Sequence, residues 1–222
     1  MAVLKKPCLS LDMYESHIFD IGDSRQSLAE SFLSIPEATH LLFVDDDITV
    51  PNPDSLTGMF QFLDKYHEHV VSGLYYRKQP PHHPLIMACE EKEDRLLFSF
   101  PYADKEPPVN QLIKVGAVPC GFLVIKREVF EKIPKPWFVY GDPELSRKQL
   151  AKAGAPPGED IYFSLKARKA GFNLYVDCRA DLLHYVPSFV GRKMLVDSVF
   201  NSMGDELGRV KDEIANLKVK DP

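Results

Sequence analysis

Apolar positions along the chain follow two spacings, and where the spacing changes the elements change. Leu28, Ala29, Phe32 and Leu33 recur at steps of three and four, the stripe of an amphipathic helix. Asp23-x-x-Gln26 fits a capping box at its start. Just before it, His17-Ile18-Phe19-Asp20-Ile21 reads as a short extended piece. Leu41-Leu42-Phe43-Val44 is a continuous apolar run of strand length, as expected for a strand covered on both faces. Asn52 is placed to cap a second helix with Pro53 in its first position, and Leu56, Met59, Phe60 and Leu63 form its apolar side. Residues 70–76 read as a strand. The prolines at 80, 81 and 84 make the following stretch a loop, since proline cannot donate to a ladder.

Further strands are expected at 95–100, 112–118 and 122–126, a short helix at 127–133, and an irregular aromatic stretch at 134–143. The pattern predicts helices over 144–153 and from Gly158 to about Lys169, the second closed by Gly171 in the left-handed conformation. Residues 173–176 and 182–186 are the last expected strands. From Leu195, the residues Val199, Met203, Leu207, Val210, Ile214 and Leu217 continue a three-four spacing, which predicts one long amphipathic C-terminal helix. Strands alternating with helices, then a mixed second half, define an α/β sheet with an antiparallel extension.

Composition bounds this picture. A chain of 222 residues, 45% hydrophobic, suffices for one substantial domain with a tail. A net charge of −5 argues against a broad basic nucleic-acid surface. Cys8, Cys89, Cys120 and Cys178 are scattered, without a CxxC pair or a secretory leader pattern, so reduced thiols and a cytoplasmic location are expected. No apolar run approaches the ~18 residues that span a bilayer.

The chemistry concentrates in a few places. The apolar run ends in Asp45-Asp46-Asp47, and the ends of strands are where open α/β sheets hold ligands. Three adjacent carboxylates repel one another, and a divalent cation is the simplest offset. If the chain stays extended, Asp45 and Asp47 face one way and Asp46 the other, so two carboxylates reach one hard cation. The plainer reading is an acidic turn before a helix. Glu159 and Asp160 stand at a helix start, where the dipole favours the ionised form; they are either ordinary cap acids or a general base. His184, in Leu182-Leu183-His184-Tyr185, is either a metal ligand or a hydrogen-bonded core residue. Gly121, at the mouth of a strand, either lets backbone approach a ligand or marks a bulge. Trp137, Phe138 and Tyr140 offer rings for stacking on a sugar or a hydrophobic plug. Arg77, Lys78, His82 and His83 offer phosphate contacts, a lid, or a solvated loop.

In order along the chain stand Asp-x-Asp after a strand, Gly121-Phe122-x-x-Ile125, Gly158-Glu159-Asp160 opening a helix, Ala170-Gly171-Phe172 and a strand, then His184. This order resembles the GT-A nucleotide-sugar glycosyltransferases, specifically the family 2-like group with short bacterial, archaeal and viral members. The resemblance runs from about Gly22 to Pro187. It implies a Rossmann-like, mixed but mainly parallel sheet flanked by helices, with residues 1–190 as the catalytic domain and 191–222 as a helical extension. It implies a transferase using Mn2+ or Mg2+ and a nucleotide-diphosphate sugar, UDP- or GDP-linked. By the same likeness Asp45, Asp47 and His184 hold the metal, and Asp46 and Arg25 lie near the donor. Asp160 is the base of an inverting reaction, and Glu159 places acceptor or donor. Gln26 departs from the Asn of relatives, and the stretch before Gly22 is shorter than the nucleotide-binding half it would have to build. The acceptor is left open: a glycan, a lipid-linked glycan, a protein or a modified nucleobase. The final helix is a candidate homodimer contact. Rival expectations are a metal-dependent nucleotidyl or phosphoryl transferase, for which no GxxxxGK[ST] loop is found, and a non-catalytic nucleotide-sugar or glycan-binding module.

Overall fold

A computed structural model describes residues 20–92, 95–143, 158–186 and 189–190. The elements expected over 144–153 and beyond Leu195 lie outside the described residues. The chain runs through α1 (Ile21–Leu33), β1 (His40–Val44), β2 (Ile48–Thr49), α2 (Asp54–Lys65) and β3 (Val70–Leu74). Then come β4 (Ala88–Lys92), β5 (Arg95–Ser99), β6 (Leu112–Val115), β7 (Phe122–Lys126) and α3 (Arg127–Lys132). The described part closes with α4 (Glu159–Lys169), β8 (Leu174–Asp181), β9 (Leu183–Tyr185) and β10 (Phe189–Val190).

The main sheet has the order β1-β7-β3-β8-β6. β3 is its fully buried centre. Alternate residues of β3 and β7 serve two apolar layers, as the period of two requires. Val70, Leu74, Leu123 and Ile125 pack with Ala29, Phe32, Phe130, Phe163 and Ala167, so α1, α3 and α4 cover one face. Val71, Phe122 and Val124 pack with Met59, Phe62 and Leu63 of α2 on the other. Arg127 ties the layers: its guanidinium donates to the carbonyls of Phe32, Leu33, Ile35 and Ala38 at the end of α1. Cations belong at that carbonyl-rich end. Cys89, Cys120 and Cys178 are buried free thiols. No helix among the described residues is long and apolar enough to cross a membrane.

Three expectations need correction. The sheet is mixed, not mainly parallel: β3–β8 is a parallel pair, while β1–β7, β3–β7 and β6–β8 are antiparallel. The cause is β7, which lies between β1 and β3 and runs against both. β1 is consequently an edge strand, and Leu41 and Leu42 are only partly buried while Val44 is 52% exposed. The cap of α1 is Asp20, whose side chain accepts from Asp23 N at 3.0 Å, so Ile21 is helical rather than extended. Gln26 does not close a box. It donates to Glu30 and accepts from Trp137 N, tying α1 to the aromatic stretch.

Candidate active site

β1, β3 and β8 point the same way, and their C-terminal ends gather Asp45, Tyr75 and, through β9, His184. β7 enters from the same edge at Gly121, and α4 starts there with Glu159 and Asp160. Residues as far apart in sequence as Asp45 and His184 thus share one end of the sheet, the crevice side of open α/β folds.

Arg25 is the hub of the inner half. It is 5% exposed. Its Nη2 donates to both carboxylate oxygens of Asp45 (2.9 and 3.1 Å), its Nε to Glu159 Oε1 (2.9 Å) and its Nη1 to the Cys120 carbonyl (3.1 Å). Burial alone would weaken its hold on its proton; the negative groups around it, Asp45 and Glu159 among them, reverse that and keep it cationic. A buried charge needs this complete pairing, because an unpaired one would be prohibitively costly.

Asp160 sits beside this hub. Its Oδ1 accepts from Ile161 N at 2.7 Å. A side chain on Gly158 would collide with that same oxygen, so glycine at the cap is what lets the carboxylate fold back over the helix start. Burial first, then the charge of Glu159, push the Asp160 carboxyl from 3.8 up to about 7. The helix dipole was expected to favour the ionised form. Enclosure and a neighbouring anion outweigh the dipole and the Ile161 hydrogen bond here.

The outer half is built by a turn. Ile48 N donates to Asp45 O at 3.1 Å, closing a turn over the three acids. Asp45 and Asp47 therefore do not project together, as an extended chain would have them. Asp45 is drawn to Arg25, Asp46 lies exposed in the turn, and Asp47 meets His184 and Lys78. β2 pairs with β9 so that Ile48 lies opposite His184, which sets Asp47 beside the imidazole. His184 Nδ1 lies 2.8 Å from the Tyr76 carbonyl. A carbonyl only accepts, so Nδ1 carries the proton and Nε2 is left toward Asp47 Oδ1, 3.5 Å away. Lys78 Nζ is paired with the other oxygen of Asp47.

Tyr75 joins the halves. It is 4% exposed, its ring stands edge-on to His184 at 5.4 Å, and its hydroxyl accepts from Gly121 N at 2.8 Å. Burial, then nearby Cys120, hold the phenol protonated well above its ordinary range. A Cβ on Gly121 would lie 2.6 Å from that hydroxyl and 3.1 Å from Asp45 Oδ2. The space over Gly121 is thus filled by two side chains of the site itself. Sequence reading missed Tyr75, because a tyrosine ending an apolar strand carries no signal separating core from site.

The aromatic residues divide. Trp137 and Phe138 are core, the first donating its Nε1 to the Ile133 carbonyl and the second stacked on Phe163; Tyr140 is 50% exposed. His82 and His83 are buried, and Arg77 is exposed.

Among the described residues no three His, Cys, Asp or Glu side chains form a ready metal cage. The donor set nevertheless fits a hard cation in part. Asp47 and His184 present an oxygen and a ring nitrogen to one point, and Mg2+-type sites need only one or two carboxylates, with water and phosphate completing the shell. Asp45 fits less well, since both its oxygens are engaged by Arg25. Two hollows of about 370 and 230 Å3 lie elsewhere, one bounded by His69, Glu128 and Phe172, the other by Met87, Lys114 and Arg168. Neither is lined by the converged acids. It is the gathered charged and titratable side chains, not hollow size, that make the strand ends the candidate site.

No family model and no curated protein matches the chain. Among solved structures it is similar to the crystal structure of A197 from STIV, with a TM-score of 0.50 and 20% sequence identity, over 76% of this chain and 69% of that one. At that identity the likeness speaks for the fold alone: a mixed α/β sheet with flanking helices.

Proposed function

We propose that the protein is a metal-dependent glycosyltransferase of GT-A type, moving a sugar from a nucleotide-diphosphate sugar to an acceptor hydroxyl with inversion. The observation that carries the reading is Asp160: a carboxyl raised to about 7, beside a fully paired Arg25–Glu159–Asp45 hub, at the strand ends where ligands bind. A general base works best with a pKa near the operating pH. Asp47 and His184 would hold the cation, which when bound would neutralise the diphosphate and ease its departure. Asp160 takes the proton of the acceptor hydroxyl. The acceptor oxygen then forms its bond to the anomeric carbon as the carbon–phosphate oxygen bond breaks, and the nucleoside diphosphate leaves on the opposite side. Arg25 positions Asp45 and Glu159 from beneath. Asp46, exposed on the turn, would meet the donor ribose or sugar.

The test is transfer or slow hydrolysis across UDP- and GDP-sugars with Mn2+, read as nucleoside diphosphate release. Asp160→Asn is expected to lower kcat by 10²–10⁴-fold while leaving the fold intact, and wild-type kcat/KM is expected to rise with pH through about 7, where Asp160 ionises. Full activity of the Asn variant sinks the base assignment. A second reading, a non-catalytic nucleotide-sugar or glycan-binding module, draws on one feature: Asp45 and Asp47 are already charge-balanced by Arg25 and Lys78. Melting-temperature gains with nucleotide-sugars but no turnover on any acceptor would favour it.

A further inference from the structure

Lys78 stands where the site most needs a cation. Its ammonium pairs with one oxygen of Asp47 while the other oxygen faces His184 Nε2, so it neutralises the same carboxylate that a divalent ion would share with the imidazole. Five carboxylates, Asp45, Asp46, Asp47, Glu159 and Asp160, surround this end of the sheet against Arg25 and Lys78. Arg25 is buried and fully engaged, whereas the Lys78 side chain is 37% exposed. The loop that carries Lys78 is closed at its base. Tyr76 bridges to Pro84, Arg77 N donates to the His83 carbonyl at 3.0 Å, and Leu85 N to the Tyr75 carbonyl at 2.9 Å. The same base anchors His184, through the Tyr76 carbonyl. Only the four-carbon arm of Lys78 must swing to vacate Asp47, while the loop and the imidazole stay fixed.

We infer that Lys78 is an exchangeable place-holder: its ammonium neutralises Asp47 before metal arrives and, once displaced, moves onto the diphosphate of the incoming nucleotide. The inference rests on the transferase reading and concerns how that site is loaded. It has a thermodynamic signature. Lys78 competes with the metal but cooperates with the phosphate, so metal entry frees the group that the nucleotide uses. Metal and nucleotide then bind with positive coupling, and the coupling is reciprocal. Removing the ammonium moves the two affinities in opposite directions, which a residue that merely braces the loop would not do.

The experiment is titration calorimetry of the full chain with Mn2+ alone and with UDP or GDP at saturating Mn2+, for wild type, Lys78→Met, Lys78→Arg and Asp47→Ala. Melting in EDTA checks that each variant is folded. Lys78→Met is expected to bind Mn2+ alone roughly two- to fivefold more tightly, the range that loss of a half-exposed ion pair allows. It is expected to bind the nucleotide about tenfold more weakly, the loss of one charge-assisted hydrogen bond. Lys78→Arg should restore the nucleotide affinity. Parallel weakening of both ligands, or no change in either, overturns the place-holder while leaving the transferase reading standing. Mn2+ binding that is absent in wild type, or identical in wild type and Asp47→Ala, overturns the metal site itself and the inference with it.

Discussion

The two halves of the site, built a few residues apart on the same turn, are held by opposite means. At Asp45 the counter-charge is Arg25, buried, locked on three sides and shared with Glu159, 134 residues further along the chain. At Asp47 it is Lys78, a part-exposed arm with one ion-pair partner among the described residues. The first arrangement is architecture, since removing any member strands a charge away from water. The second is replaceable, because an exposed pair contributes little to stability and water can take over from either partner. A divalent ion can compete for Asp47 at modest cost, but for Asp45 only by dismantling the hub. Under the proposed function, that difference divides the Asp-x-Asp pattern: Asp45 braces α1 and α4 against the sheet, and Asp47 would be the acid offered to ligand.

The sharpest way to break this contrast is Arg25→Met. It leaves Asp45 and Glu159 without their shared partner, so a loss of about 3–5 kcal/mol is expected, measured as a fall in the urea midpoint. A loss below 1 kcal/mol would mean that the hub is not structural.

Next in size is the pH response of Asp160→Asn. The native carboxyl is raised from 3.8 to about 7, so the protonated form stabilises the fold. That contribution is fully present below 3.8 and is lost as pH rises through 7. The Asn variant keeps a neutral acceptor for Ile161 N at every pH. Its melting temperature should match wild type at pH 3.5, exceed it by several degrees at pH 8, and gain nothing more above that. Equal melting across the range would show that Asp160 is not held protonated.

Gly121→Ala tests the bridge between the halves. The new methyl meets the Tyr75 hydroxyl and Asp45 Oδ2, and overpacking of this kind costs about 1–3 kcal/mol. Fluorescence-detected unfolding should show that loss, partly recovered by Tyr75→Phe, which removes the oxygen in the way.

Part of this was readable from residues alone and part was not. The strands at 70–76 and 122–126, and the helix between Gly158 and Gly171, follow from local spacing, and there the sequence and the structure agree: β3 and β7 fall in those stretches, and Gly171 has φ +93°. The direction of β7 is a non-local choice. An apolar strand reads the same whichever way its neighbour runs, so a mainly parallel sheet was the wrong expectation. β4 was missed because Glu90, Glu91 and Lys92 hide a hairpin strand behind charge. At the site, the residue types at Asp45, Asp47, Glu159, Asp160 and His184 were visible, but the turn that separates Asp45 from Asp47 was not. Period-two reasoning presumes an extended backbone, and a single hydrogen bond from Ile48 N to Asp45 O removes that premise.

The smallest stability effect belongs to Asp47→Asn, and its smallness is the point. Asp47 is partly exposed, and its backbone carbonyl, which accepts from Tyr185 N at 2.7 Å, is untouched by the change. The turn and the β2–β9 pairing should survive. Lys78 is left at the surface, where water solvates it. Stability should therefore stay within about 0.5 kcal/mol of wild type. Mn2+-dependent nucleotide binding should fall by an order of magnitude or more, because a neutral amide replaces the only carboxylate that faces His184 Nε2 among the described residues. A large loss of stability with binding retained would reverse the comparison, making Asp47 the brace and Asp45 the ligand.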